Sequence, residues 1–366
     1  MNEVVFFGGT AAELIKLFPV LLRAEEAKAP WCMLFSGQSP QGFRGQWNDF
    51  GFPAERLHAL IDTKADLHRA QDAAVWFARA MAVPKRRIRQ LVGDLRPGTP
   101  WIVHGDTLST LVGAVHGRRM SATVGHVEAG LRSGRYREPF PEEISRSMVG
   151  QIAKLHFPPE PSGEAHLRRE HARGRIVVTQ GNTQLDAISA ALTRPPPPDI
   201  PSGAYGLVNI HRYETLLSSE RKAQVKRVLL DASAKHKLVL VAHETTQAWL
   251  DVEHDFRHDL EKNGATLLSR QPFLRFAHWL NKARFVIADS GGNQQECGYL
   301  GVPCLLLRVV TETAIDPRRK CVVLSRFDRD AIDRFLADPD AYREAPLELD
   351  DPPATAIWRE INALRR

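Results

Sequence analysis

Val4-Val-Phe-Phe-Gly-Gly-Thr-Ala-Ala-Glu-Leu-Ile-Lys-Leu-Phe18 decides the architecture. Four apolar residues of strand character run into two glycines, and a helix opens at Thr10. Thr10 and Glu13 stand at capping-box spacing, so a hydroxyl and a carboxylate are placed to satisfy the free N–H groups of the first turn. Leu14, Leu17, Phe18 and Leu21 then share one helical face. Pro19 interrupts that face and is expected to kink the helix or restart it. The same phrase of strand, turn and helix recurs down the chain. Strands are predicted at 32–35, 101–103, 122–126, 155–157 and 176–178, and again at 207–210, 238–241, 266–268, 285–287 and 304–307. Alternation of this kind builds parallel sheets covered by helices.

Between the two series lies Thr193-Arg-Pro-Pro-Pro-Pro-Asp-Ile-Pro-Ser-Gly203, whose five prolines exclude a helix interior or a central strand. It reads as a stiff linker. The expected organisation is two doubly wound parallel-sheet domains, 1–192 and 204–350, with a helix over 354–366 free to pack back on the first. Ligands of such sheets bind beyond the C-terminal strand ends, which points to the cleft between the domains. The 366 residues are 43% apolar and 25% charged, values of a soluble globular protein. No apolar run approaches the roughly 18 residues a membrane span requires. The opening residues pass straight into a strand without a basic leader region, so no secretory signal is expected. Cys32, Cys297, Cys304 and Cys321 form no metal-like spacing, which suits a reducing cytoplasm. The net charge of +6 favours an anionic partner, but the basic residues are scattered, and a phosphorylated small molecule suits them as well as nucleic acid.

Chemistry concentrates where strands end. In Val103-His-Gly-Asp-Thr107 a glycine turns the chain and Asp106 and Thr107 open the next helix; alone, Asp106 reads as a cap. Gly125-His-Val-Glu-Ala-Gly-Leu-Arg132 repeats the pattern, and its Glu128 has neither a helix face to sit on nor a lysine beside it in sequence. Pro139-Phe-Pro-Glu-Glu-Ile-Ser-Arg146 puts Glu142 and Glu143 in a first helical turn, a placement the helix dipole alone would favour. Three acidic positions at successive strand ends nevertheless converge on one crevice, as acid–base chemistry with raised carboxyl pKa values requires. In the second half, Leu207-Val-Asn-Ile-His-Arg-Tyr-Glu214 ends a strand in His211 and Arg212, a pair suited to an anion or a proton transfer. Asp289-Ser-Gly-Gly-Asn-Gln-Gln-Glu296 is turn and helix start, where Ser290, Gly291 and Gly292 present backbone N–H groups to a phosphate and Glu296 reaches ribose hydroxyls. Arg308, Thr311 and Glu312 follow the next strand and complete a diphosphate pocket. His254 and His258 lack a third metal ligand, and Lys85, Arg86, Arg87 and Arg89 lack interleaved aromatics; both sets read as solvated helix faces. Gly8-Gly9-Thr10 is neither a dinucleotide fingerprint nor a Walker loop, which argues against nicotinamide or ATP.

Taken together and in order, these motifs resemble the UDP-N-acetylglucosamine 2-epimerase family over nearly the whole chain. They are Gly9-Thr10 with Glu13, Ser36-Gly-Gln38, His104-Gly-Asp-Thr107, His126 to Arg132, Pro141-Glu-Glu143 with Arg146, Gly181-Asn182, His211-Arg212 with Glu214, Asp289-Ser-Gly-Gly292 with Glu296, and Arg308 with Thr311-Glu312. The resemblance implies the GT-B architecture, two Rossmann-like domains with the active site between them. It implies Asp106, Glu128, Glu142 and His211 as the catalytic set. Thr10, Lys16, Gln38, His104, Arg132, Arg146, Arg212, Ser290, Gly291, Gly292, Glu296 and Arg308 would bind the substrate. The implied reaction is C2 epimerisation of a UDP-N-acetylhexosamine through UDP elimination and re-addition, for a cell-surface polysaccharide precursor. It needs no cofactor or metal and involves no nucleic acid or membrane; a homodimer is implied as well. The chain departs from the family's usual pattern at Ala11 and Ala12, where Arg and Pro are usual, at Ser39, at Tyr213 and at Thr313-Ala314-Ile315. These changes touch substrate-holding positions and leave the acidic set whole. A hydrolysing epimerase releasing free sugar and UDP, a GT-B glycosyltransferase and a binding protein without turnover are the alternatives; the retained carboxylates favour the epimerases.

Overall fold

The computed structural model describes residues 2–67, 70–132, 142–311 and 319–365. Two compact units divide the chain, one of residues 1–187 with 350–366 and one of residues 188–349. In the first, β1 (Val4–Gly8), β2 (Trp31–Phe35), β3 (Leu57–Ala59), β4 (Pro100–His104), β5 (Thr123–Val127), β6 (Leu155–Phe157) and β7 (Arg175–Ile176) form one sheet in the order 3-2-1-4-5-6-7. Every pairing is parallel, with Val5 opposite both Cys32 and Trp101, so the strand order reverses at β1 and β4. Both faces are covered, which is why β1 and β2 are apolar throughout rather than alternating. Helix Leu108–Arg119 approaches β1 closely because Gly113 carries no side chain; a Cβ there would lie 2.4 Å from the Phe7 ring.

The second unit repeats the plan. Its strands β8 (Gly206–Asn209), β9 (Leu238–Ala242), β10 (Thr266–Ser269), β11 (Phe285–Ala288), β12 (Cys304–Leu306) and β13 (Val322–Leu324) are parallel in the order 10-9-8-11-12-13, reversing at β8 and β11. Val208, Leu240, Ile287, Leu305 and Phe335 centre its core. Each such fully buried side chain contributes roughly 1.5–3 kcal/mol. All four cysteines are buried free thiols.

Several expectations need correction. Helix Ala11–Glu26 runs through Pro19 without restarting. A mid-helix proline costs about 3 kcal/mol, offset here by a complete capping box and by burial of Leu14, Leu17, Phe18 and Leu21. Phe18 adds a ring stack on Phe50, centroids 3.9 Å apart. Strands β3 and β13 were not predicted, and β7 covers Arg175–Ile176 rather than 176–178. Three-residue edge strands are too short for a period to show. The Pro-rich stretch 195–203 forms neither helix nor strand. The last helix, Pro353–Arg365, lies against Ala11–Glu26, fixed by Asp186 accepting from Ala354 N at 3.0 Å and by an Arg365–Glu3 ion pair at 2.7 Å. Among the described residues no helix is long and apolar enough to cross a membrane.

Candidate active site

Ligands of doubly wound sheets bind where the strand order reverses, beyond the C-terminal strand ends. In the first unit that point is occupied by a pocket lined by Thr10, Ala12, Glu13, Lys16, His104, Gly105, Asp106, Thr107, Glu128, Leu131 and Arg146. Thr10 caps helix Ala11–Glu26, which carries Lys16 in its second turn. Thr107, not Asp106, caps helix Leu108–Arg119, accepting from Thr110 N. That leaves the Asp106 carboxylate to pair with Arg146, whose other nitrogen holds Glu143 at 2.7 Å. The Gly105 turn, at φ +76°, is pinned by its N–H to Val127 O at 3.0 Å and by its carbonyl to His126 Nε2 at 2.7 Å. Burial pushes His126 down to about 3, so the imidazole is neutral and Nε2–H donates.

Glu128 directly follows β5 with φ at +64°, a left-handed backbone that non-glycine residues seldom adopt. Its Oε2 lies 2.6 Å from Lys16 Nζ and 2.9 Å from His104 Nε2. Burial pushes this carboxyl up, but the Lys16 ammonium and His104 together pull it below the usual carboxylate range. The raised acid expected at this position is therefore not Glu128. The carboxyl of this pocket that burial does raise is Glu13, which accepts from Gly9 N, Thr10 N and Thr107. Glu142 begins helix Glu142–Ile152 outside the pocket lining; its Oε2 is buried and has no hydrogen-bond partner among the described residues.

In the second unit the reversal point holds Asp289, fully buried at the end of β11. Its two oxygens accept from the backbone N–H groups of His211 and Arg212, at 3.1 and 3.0 Å, and so fix the loop after β8. Ser290 caps helix Gly291–Leu300 and donates to Asn293 Oδ1 at 2.8 Å. Asn293 donates in turn to Glu296 at 2.8 Å and accepts from Asn209 at 2.8 Å. Gly292 faces open space at this helix start. The His211 imidazole stacks on His243, centroids 4.4 Å apart. Burial lowers both, His243 to about 3, with Arg212 and Arg270 repelling a proton from His211 and Asp289 attracting one. Thr311 donates to Gln294 Oε1.

The first unit thus gathers Thr10, Lys16, His104, Asp106, Glu128 and Arg146 around one pocket, and the second gathers His211, Arg212, Ser290, Gly291, Gly292 and Glu296 at one sheet end. Gln38 does not line the pocket; its N–H donates to Ser36 Oγ at 3.2 Å. Arg132 does not line it either, because Glu170 takes its guanidinium fork at 2.7 and 2.6 Å. Arg308 follows β12 and is half-buried. Glu312 and residues 313–315 lie outside the described residues, as do Pro139 to Pro141. Sequence reasoning missed His243, whose signal was a histidine directly after an apolar strand, and it missed the Lys16–Glu128 pair, which had none.

The UDP-N-acetylglucosamine 2-epimerase family model matches residues 54–347. A Bacillus subtilis UDP-N-acetylglucosamine 2-epimerase is 30% identical over 266 residues, 70% of this chain and 69% of that protein. One from Escherichia coli K12 is 30% identical over 277 residues, 70% and 72% of the two chains. The structure of S. aureus MnaA with UDP superposes with a TM-score of 0.75 at 24% identity, covering 100% of this chain and 96% of that one. The Methanocaldococcus jannaschii enzyme in complex with UDP-GlcNAc and UDP gives 0.72 at 22% identity, covering 98% and 99%. These two likenesses establish the GT-B fold, two parallel-sheet domains with flanking helices. By the family-model match over residues 54–347 and by these relatives, the chain belongs to the UDP-N-acetylglucosamine 2-epimerase family and is an isomerase of that kind.

Proposed function

We propose that this enzyme inverts C2 of a UDP-N-acetylhexosamine, UDP-N-acetylglucosamine to UDP-N-acetylmannosamine in type, without net hydrolysis. A base removes the C2 proton while the C1–O bond breaks and UDP leaves with the electron pair, forming a C1=C2 double bond. Reprotonation at C2 from the other face and return of the UDP oxygen to C1 complete the inversion. One observation carries this reading: Asp106, Glu128 and Glu142 have three different environments. Glu128, held ionised beside Lys16, suits stabilising positive charge on the sugar ring. Glu142, with a buried carboxylate oxygen left without a described partner, suits proton exchange at C2. Asp106, paired with Arg146, shares these duties. His211 with Arg212, and the helix start at Ser290 to Gly292 with Glu296, suit the departing diphosphate and the ribose. Support comes also from the names of the curated relatives and from the UDP-GlcNAc complexes of the M. jannaschii and Neisseria meningitidis enzymes. The reading extends to a cytoplasmic homodimer that supplies a polysaccharide precursor, the dimer being measurable by light scattering.

Incubation of UDP-N-acetylglucosamine with the enzyme in deuterated water tests the chemistry. Deuterium at C2 of recovered UDP-sugars is expected. Deuterium in free sugar alone indicates the hydrolysing variant, and turnover without C2 exchange rejects epimerisation in favour of glycosyl transfer at C1.

A further inference from the structure

A capping box needs one carboxylate oxygen, and Glu13 Oε2 meets that need by accepting from Gly9 N at 2.5 Å and Thr10 N at 3.0 Å. The second oxygen serves no cap of its own helix. Oε1 accepts from the hydroxyl of Thr107 at 2.5 Å and stands 3.2 Å from that of Thr110, residues 94 and 97 positions away in sequence. Thr110 Oγ1 is also 2.7 Å from the carbonyl of His104. One carboxylate therefore ties the loop after β1 to the loop after β4. The loops have little slack, since a Cβ on Gly9 would lie 1.9 Å from Ser109 Oγ. Glu13 is only 3% exposed. Burying a carboxyl group costs stability against an apolar residue of similar volume, so a carboxyl kept here points to a geometry that it holds. The geometry at stake is that of Glu128. Lys16, which reaches Glu128 from 2.6 Å, stands one turn beyond Glu13 on the same helix, and His104, 2.9 Å from Glu128, ends the strand whose loop Glu13 holds.

We propose that Glu13 is a positioning residue for the reaction: by joining the starts of two helices it sets Lys16 and His104 on the Glu128 carboxylate. The inference rests on the C2 chemistry proposed above, and Glu13 acts through those two groups rather than on the sugar. An amide can keep most of the frame, with its oxygen on the two backbone N–H groups and its nitrogen facing hydroxyls that turn to accept. A methyl group cannot.

The test compares Glu13→Ala and Glu13→Gln with wild type by two readouts. The first is C2 exchange in deuterated water: Glu13→Ala is expected to lower kcat by about fiftyfold or more with KM within about threefold, and Glu13→Gln to return it to within about tenfold of wild type. The second is the ¹⁵N signal of Lys16 Nζ, expected to shift in Glu13→Ala and to return in Glu13→Gln. Thr107→Val, which removes the Oε1 contact together with the cap of helix Leu108–Arg119 and leaves the Oε2 contacts, serves where Glu13→Ala does not fold; it is expected to slow kcat and move the same signal, and Thr107→Ser, which keeps the hydroxyl, to restore both. A folded Glu13→Ala or Thr107→Val enzyme with wild-type kcat, a loss confined to KM, or an unmoved Lys16 signal overturns the proposal. Absence of C2 exchange in wild type overturns the epimerase reading instead, and the Lys16 signal then decides the positioning role alone.

Discussion

Glu128 stands at φ +64° while ionised beside Lys16 and His104, two costly conditions imposed on one residue. Hydrogen bonds from the N–H groups of Glu128 and Ala129 to Phe157 O, at 3.1 and 3.3 Å, hold the backbone there. In the proposed reaction the charge is what Glu128 contributes, because an anion steadies a developing cation and a neutral amide does not. Glu128→Gln is therefore expected to slow C2 exchange by at least about a hundredfold, the usual scale for losing such a group. UDP affinity measured by calorimetry should not change. Exchange at the wild-type rate would remove Glu128 from the mechanism. The position of Glu128 at a strand end was legible in the sequence. Its protonation state was not, because Lys16 lies 112 positions away.

Helix Gly291–Leu300 is the element that the proposed reading uses to hold the diphosphate. Ser290 caps it, and the two glycines leave its first N–H groups open to a ligand. A Cβ on Gly292 meets nothing within 4 Å, so Gly292→Asp should fold normally. A carboxylate in the first turn even favours the helix dipole. Against a bound diphosphate the same charge repels, by about 1 kcal/mol in water and about 4 kcal/mol at an effective dielectric constant near 20 when 4 Å away. Thermal stability is expected to hold or rise while UDP affinity falls at least about tenfold by calorimetry. Equal UDP affinity in the folded variant would place the nucleotide elsewhere.

Across the whole molecule, burial holds His116, His126, His156, His211 and His243 below the ordinary histidine range, His126 and His243 to about 3. The unfolded chain takes up these protons first, so stability present above pH about 6.5 is lost as pH falls toward about 3. Glu128, lowered in the fold, adds to the acid loss. Asp186 works in the opposite sense. Burial pushes it up to about 6, so its ionisation above that pH costs stability although it still accepts from Ala354 N. In a melting series from pH 4 to 8, the wild-type midpoint is expected to fall on the acid side. Asp186→Asn, which keeps the acceptor without the charge, should add up to about 3 kcal/mol at pH 7 and a small fraction of that at pH 4. A variant no more stable than wild type at pH 7 would show that Asp186 is not penalised by burial.

The sequence by itself determined the alternation of strand, turn and helix, the two series on either side of the Pro-rich stretch, and the strand ends at which Asp106, Glu128, His211 and Ser290 would fall. These are properties of local periodicity and turn chemistry, expressed within a few residues of each position. Edge strands of three residues left no such trace, and the capping box that carries helix Ala11–Glu26 through Pro19 acts on a balance no single position displays. Tertiary structure alone decided that Lys16 meets Glu128, that Glu170 takes Arg132, that His243 stacks on His211 and that Glu13 spans two loops. Each of these depends on strand order. Parallel crossovers bring β1 beside β4 and β8 beside β11, so the charges that set one another's protonation are neighbours in space and strangers in sequence.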